Sequence, residues 1–229
     1  MMQLDKDTYL ALINAITVSA EFCSDFTIKD GFVRQLSDDR IILLEINVGL
    51  NDLYFRLANA KQKLKMFSLF KDSETVSFEI EGNQLTFGDD VTKISFIQPA
   101  EDIMFSTYIE TDKLHEMINV SEDDLVTTIQ LDENLLGRIR TITDVLNTRQ
   151  VIFKHDKLFI TSDDKSQKAI ITSIDNLNTD LVTVKDCFTV YDNVTVAIYN
   201  KNNSFYGIFR GSSNALDVNM YVRLNIYED

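Results

Sequence analysis

Two short stretches decide how this chain is read: Ile28–Asp39, IKDGFVRQLSDD, and Phe153–Asp164, FKHDKLFITSDD. Laid one over the other, they match Lys29 to Lys154, and Ser37, Asp38 and Asp39 to Ser162, Asp163 and Asp164. Upstream, Gln3-Leu4-Asp5 opens one helical pattern and Gln130-Leu131-Asp132 opens another, so the offset drifts only from 127 to 125. Solenoid units repeat at roughly 20–50 residues, far below this period. The spacing fits the size of a domain, and one domain fold used twice is the expectation.

Around these stretches the dominant rhythm has period 2. Val76, Phe78 and Ile80 alternate with polar neighbours, then Glu81-Gly82-Asn83-Gln84 turns the chain into Leu85 and Phe87. In the second half, Ile152 and Lys154 lead through His155-Asp156 into Leu158 and Ile160. Near the end, Val222, Leu224 and Ile226 alternate with Tyr221, Arg223, Asn225 and Tyr227. Short antiparallel strands joined by hairpins are predicted.

Four segments break that rhythm. Leu135, Ile139, Ile142 and Leu146 fall at i, i+4, i+7 and i+11, an apolar helical stripe with Asp132 as its N-cap. Tyr9, Ile13 and Ile16 give the matching stripe after Asp5, and Leu57, Ala60, Leu64 and Phe67 predict a helix over Leu57–Phe70. The fourth, Asp186–Asp192 (DCFTVYD), is the shortest and has the weakest helical character. The order is then strand, helix, three strands, strand, helix, three strands, stated twice. That is an α+β class, with helices gathered on one face of antiparallel sheets. Pro99–Asp124 holds the single proline and the apolar triplet Ile103, Met104 and Phe105. A stretch this long belongs between domains, which gives an N-terminal domain over 1–99, a connector over 100–121 and a C-terminal domain over 122–229.

Composition narrows the function. The chain is 45% hydrophobic, with a mean hydropathy of −0.08, and no apolar run reaches the roughly 18–20 residues of a membrane span. The opening MMQLDKDTYL lacks a basic-then-apolar leader, so a cytoplasmic location is expected. Cys23 and Cys187 sit outside any CxxC spacing and read as reduced core thiols. His115 and His155 cannot make a metal cluster with two scattered cysteines, and no phosphate-loop, dinucleotide, zinc-protease or nucleophile-elbow motif occurs. The carboxylate pairs Asp38-Asp39, Asp89-Asp90 and Asp163-Asp164 lie at turns, where Asp is favoured for its own sake. A binding or scaffold role without cofactor or metal therefore leads over an enzyme.

With a net charge of −14 and a pI near 4.5, where the 22 Lys and Arg fall matters more than their number. Between Asp52 and Asp72 no acidic residue occurs, while Arg56, Lys61, Lys63, Lys65 and Lys71 do. A second acid-free window, Asn134–Thr143, carries Arg138 and Arg140. On a helical wheel at about 100° per residue, Arg138 lies to one side of the Leu135 stripe and Arg140 well round towards solvent, with Gly137 nearly opposite the stripe. On the Leu57–Phe70 pattern, Lys61 and Lys65 share one exposed flank, Lys63 and Arg56 the other. An ordinary solvated helix face explains one such helix. Two of them, one in each copy, point to a polyanion. No aromatic residue interleaves with the charges, so phosphate contact without base reading is the better match.

At this point the chain resembles the DNA sliding clamps, the trimeric clamp of T-even-type phages first and the PCNA clamps more distantly. LDKDTYLALINAI (Leu4–Ile16) followed by IKDGFV (Ile28–Val33) resembles the phage clamp's opening helix and first hairpin. FIQPAED (Phe96–Asp102) resembles the end of its first domain, VTTIQLDENLL (Val126–Leu136) the start of its second, and NMYVRLNIYED (Asn219–Asp229) its closing strand. Order and spacing, rather than any single motif, carry the likeness. It implies a homotrimeric ring around double-stranded DNA, helices inside and sheets outside, tethering a replicative DNA polymerase and opened by an ATP-driven clamp loader. By position, Arg56, Lys61, Lys63, Lys65, Arg138, Arg140, Arg149 and Lys185 would face the hole. Client peptides would dock near the connector, at Leu36, Ile103, Met104 and Phe105. Two other readings stay open: a clamp-like processivity subunit that remains monomeric, and a β-rich phage structural protein whose basic helices meet a neighbouring subunit.

Overall fold

A computed structural model of the chain describes residues 1–100 and 108–228. It divides into two units: Met1–Lys113 with Asn214–Asp217, and Leu114–Ser213 with Val218–Asp229. The first runs β1 (Met2–Asp5), α1 (Lys6–Ser19), β2 (Phe26–Ile28), β3 (Phe32–Leu36), β4 (Ile42–Asn47), β5 (Phe55–Leu57), α2 (Ala60–Phe67), β6 (Thr75–Glu81), β7 (Gln84–Gly88) and β8 (Lys93–Ile97). After α3 (Thr111–Ile118) come β9 (Leu125–Leu131), α4 (Glu133–Val145), β10 (Gln150–Lys154), β11 (Lys157–Thr161), β12 (Lys168–Ser173) and β13 (Leu181–Val184). One 3-10 turn, Lys185–Phe188, then stands where α2 stands in the first copy, before β14 (Asn193–Lys201), β15 (Ser204–Ser213) and β16 (Leu216–Ile226). The two copies repeat one order of elements, and the fold is α+β with antiparallel sheets and few helices. In the first unit β1, β6, β7 and β8 form a sheet in that order; in the second the order is β12-β11-β10-β13-β16-β15-β14-β9.

The residues that matched in sequence do the same physical work twice. Asp5 accepts a hydrogen bond from the Thr8 N–H at 2.8 Å, and Asp132 one from the Leu135 N–H at 2.8 Å. Each caps its helix by satisfying a backbone donor that has no partner inside the first turn. In the Ser-Asp-Asp turns, Asp39 Oδ1 accepts from Ser37 Oγ at 2.6 Å and Asp164 Oδ1 from Ser162 Oγ at 2.5 Å. The next residue is left-handed in both, with φ of 58° at Arg40 and 59° at Lys165.

Asp164 collects further bonds from the Ser166 N–H and hydroxyl, and these, after the Ser162 hydroxyl, hold its carboxyl at about 2, below the ordinary 3.8. A carboxylate whose folded value is depressed adds stability above its unfolded value, and that share disappears as pH falls through the folded one. Asp164→Asn should therefore flatten the stability–pH curve between about 4 and about 2 and leave its shape above pH 5 unchanged. Urea melts at pH 5, 3 and 2 would check it.

Each unit has its own core. In the first, Phe55, Phe67, Phe78 and Phe87 are buried together, with the Phe67 and Phe87 rings stacked 4.2 Å apart. Tyr9 of α1 is wholly buried against them and donates its hydroxyl to the Phe67 carbonyl at 2.7 Å; burial pushes the phenol's pKa up. In the second, Leu136 and Ile139 of α4 are buried, and Phe188 meets Phe209 edge-on at 5.3 Å.

Four expectations need correcting. The predicted helix over Leu57–Phe70 is only Ala60–Phe67 with a 3-10 turn at Ser68–Phe70. Leu57 pairs with Phe26 in the β5–β2 ladder, and Asn59, at φ 54°, breaks the chain between strand and helix. Asp186–Asp192 does not make a helix beyond the turn at Lys185–Phe188; Tyr191 instead buries its ring and donates to the Phe209 carbonyl. In α4 the buried line is Leu136, Ile139 and Thr143, roughly 50° round from the predicted stripe at about 100° per residue. Thr143 can join it because its hydroxyl donates to the Ile139 carbonyl at 2.9 Å. Finally, α3 lies in the connector, where no helix was predicted.

Candidate functional site

Rotating α4 reverses the roles of its two arginines. Arg138 is exposed. Arg140, expected towards solvent, is half-buried and donates Nε to the Phe188 carbonyl at 3.2 Å and Nη2 to the Tyr191 carbonyl. It holds the chain beyond the Lys185–Phe188 turn. Lys185 pairs with Asp144 at 2.8 Å, and Arg149 pairs with Asp186. Of the four cations expected in the second copy, three are therefore engaged by their own unit.

In the first unit the helix α2 starts from a hook, with the Ala60 N–H donating to the Ser24 carbonyl at 2.7 Å. Ala60 and Phe67 are buried, which turns Lys61, Gln62 and Lys65 outwards. Lys61 is exposed, as is Lys65 further along the same face. No carboxylate of the described residues comes within ion-pair distance of Lys61 or Lys65. Lys63 lies differently: it is half-buried, its Nζ sits 4.7 Å over the Phe96 ring, and desolvation lowers its pKa against the opposing pull of Asp25. Arg56 is on β5, half-buried, its guanidinium 5.6 Å from the Tyr54 ring and its backbone N–H donating to Gln98 Oε1 at 2.8 Å. The structure thus brings Lys61 and Lys65 onto one exposed face and sets Lys63 and Arg56 apart from it. A groove of about 630 Å³ runs beside α2, lined by Ser24, Asp38, Asn59, Lys61 and Lys65 among others.

Of the residues expected to receive a peptide, Leu36 is half-buried at the end of β3, its carbonyl accepting from Cys23 Sγ at 3.4 Å. Ile103, Met104 and Phe105 lie outside the described residues. Just after them the connector is pinned to the first unit. The Ile109 N–H donates to the Arg34 carbonyl at 2.9 Å, and Tyr108 bridges to Gln35. Tyr108 also donates its hydroxyl to the Lys29 carbonyl, and Lys29 Nζ meets Glu110 Oε1 at 2.5 Å. Room for this comes from a split hairpin. Among the described residues β2 and β3 share the Lys29·Phe32 bridge and then part, with Gln35 Oε1 accepting the Thr27 N–H at 3.1 Å. In the second copy β10 and β11 stay paired over Ile152–Lys154. The sequence did carry a signal: Arg34 and Gln35 stand where the second copy has Phe159 and Ile160.

No protein-family model matches the sequence, and no curated protein is similar enough in sequence to count as a relative. The backbone is far more informative. It superposes on proliferating cell nuclear antigen from Entamoeba histolytica with a TM-score of 0.65 at 10% identity, over 95% of this chain and 96% of that one. The chain has the sliding-clamp fold. PCNA from A. fulgidus, with the C-terminal region of FEN-1 bound, gives a TM-score of 0.60 at 12% identity over 99% and 98% of the two chains. The Helicobacter pylori β clamp bound to a DNA ligase peptide gives 0.59 at 15% identity, all of this chain covering 66% of that one. The clamp fold is therefore present over almost the whole length, repeated unit included.

Proposed function

We propose that this chain is a DNA sliding clamp, a non-catalytic cytoplasmic protein that closes as a homotrimer around duplex DNA and holds a replicative polymerase on its template. The observation that carries the reading is the end-to-end match with PCNA, over 95% of one chain and 96% of the other. In support, Lys61 and Lys65 of α2 are exposed, with no carboxylate of the described residues at ion-pair distance, in a chain of net charge −14. Such a protein binds duplex poorly by charge alone. Encirclement removes the need for affinity. The clamp reading brings with it a separate ATP-driven loader to open the ring, and a sequence with no phosphate-loop motif is consistent with that. Peptide clients, of the kind bound by the A. fulgidus and H. pylori clamps, would dock beside Leu36 and the connector segment Ile103, Met104 and Phe105.

Ring closure needs unpaired strand edges. β8 ends one sheet and β12 ends the other, and each carries an exposed isoleucine, Ile97 at 60% and Ile170 at 61%. Apolar edge strands left open invite pairing with another chain, and β8 of one copy against β12 of the next is the closure we propose. Ile170→Asp should leave the circular dichroism spectrum unchanged and convert a trimer to monomers in light scattering. A variant that stays trimeric would place the interface elsewhere. The function itself is tested by primer extension on a singly primed circle with polymerase and loader: product length should rise sharply when the protein is added. Unchanged lengths would overturn the reading.

A further inference from the structure

The two copies share a fold and differ in what they do with their cations, and from that difference we infer that the DNA backbone is tracked from one side of the repeat. Phosphate contact is made by the outward face of α2, through Lys61 and Lys65, with Arg138 alone joining from α4. The inference rests on the clamp reading and refines it: the ring presents its duplex with three strong arcs and three weak ones, instead of six equal ones.

What separates the copies is where each cation finds its counter-charge. On the α2 face Lys61 and Lys65 are exposed, and no carboxylate of the described residues lies within ion-pair distance of either. Two ammonium groups at i, i+4 repel each other weakly, and a phosphate between them relieves that repulsion. The adjoining groove is not itself the seat, because Glu21 and Asp38 line it too, the Asp38 carboxylate taking the Ser24 N–H at 3.0 Å. In the second unit two of the four corresponding cations are ion-paired and a third is turned to backbone carbonyls. Lys185 is matched by Asp144 and Arg149 by Asp186, while Arg140 directs its donors to the Phe188 and Tyr191 carbonyls. α4 also carries the acidic Glu133 and Asp144, both exposed. An ion pair held within its own surface presents little net field to a phosphate one Debye length away.

The test compares charge-neutral and charge-changing variants in the intact protein. Binding of a linear duplex of about 30 base pairs, long enough for several phosphate contacts, is followed by fluorescence anisotropy over a range of salt concentrations. Lys61→Gln with Lys65→Gln should lower the magnitude of the log K against log salt slope by about 0.9 for each phosphate no longer neutralised. Removing both second-unit pairs together (Lys185→Gln with Asp144→Asn, and Arg149→Gln with Asp186→Asn) should leave the slope as in the wild type. Melting temperatures confirm that each variant is folded. An unchanged slope in the α2 variant, or an equal decrease in the variant without the pairs, overturns the inference. As a second readout, a photo-crosslinker placed at Gln62→Cys should label DNA loaded on a circle more heavily than one at Thr141→Cys; equal labelling also overturns it. Should the wild-type protein not stay on circular DNA at all, the clamp reading fails first and takes this inference with it.

Discussion

Arg34→Met should destabilise the protein by about 3–5 kcal/mol, the cost typical of removing one partner from a buried ion pair. The Arg34 and Glu45 side chains are 8% and 12% exposed, and Nε donates to Glu45 Oε2 at 2.7 Å. Nη1 donates to Thr111 Oγ1 at 2.6 Å, and the guanidinium carbon lies 4.0 Å from the Phe32 ring centre. Methionine replaces the aliphatic stem and takes away the guanidinium that faces the Glu45 carboxylate. The penalty comes from removing a charged partner from a carboxylate that water reaches poorly. Arg34→Met with Glu45→Met should therefore recover most of the stability, since apolar side chains of similar volume often replace a buried pair without cost. Urea melts of the two single variants and the double give the coupling directly. A single-variant cost below about 1 kcal/mol would mean a pair behaving like a surface one. Hydrogen exchange supplies a second readout: the Ile109 amide, bonded to the Arg34 carbonyl, should lose protection as the Thr111 anchor goes.

What the sequence made legible was whatever short-range chemistry dictates. Asp5 and Asp132 cap helices because a carboxylate there meets backbone N–H groups three residues on, and the Ser-Asp-Asp turns bond within themselves. Period-2 alternation found β6, β7 and β16 because one face of each is buried and the other is not, whereas β10 and β11 are buried on both faces. Where the reading failed, the deciding contact was distant or local sterics overrode spacing. Leu57, Ala60, Leu64 and Phe67 have helical spacing, yet Leu57 belongs to a ladder with Phe26, and Asn59 turns left-handed between Leu57 and the helix. Thr143 was left out of the predicted stripe although its hydroxyl is satisfied inside its own helix.

The charges fared by the same rule. Lys185 and Arg149 lie outside the two acid-free windows, and each meets a carboxylate far off in sequence: Lys185 finds Asp144 across 41 residues and Arg149 finds Asp186 across 37. Arg140 was hidden for a related reason: its acceptors are backbone carbonyls 48 and 51 residues away, invisible to any count of charged side chains. Lys61 and Lys65 were placed correctly on one exposed flank because the helix itself fixes their spacing. The pinning of the connector at Tyr108–Glu110 was missed because its partners, Lys29, Arg34 and Gln35, lie far upstream in the chain.

The largest expected effect separates topology from affinity. In the proposed trimer the α2 lysines alone, two from each copy, offer about six phosphate contacts, and a protein holding duplex through six loses roughly 10³ in affinity between about 50 and 200 mM salt. On linear DNA with free ends, retention of this protein should collapse by about that factor, since nothing but charge opposes departure. On a closed circle loaded before the salt is raised, retention should barely change, because leaving requires the ring to open. Opening breaks protein–protein strand pairing and apolar contacts, which salt in this range screens little. Gel filtration of loaded circles at the low and high ends of that salt range, before and after a single restriction cut, measures all four conditions on one preparation. Cutting the circle at high salt should release the protein promptly; release from uncut circles at the same rate would show that charge alone had been holding it. The Ile170→Asp variant supplies the internal check: if β12 closes the ring, that variant should behave on circles as the wild type does on cut DNA.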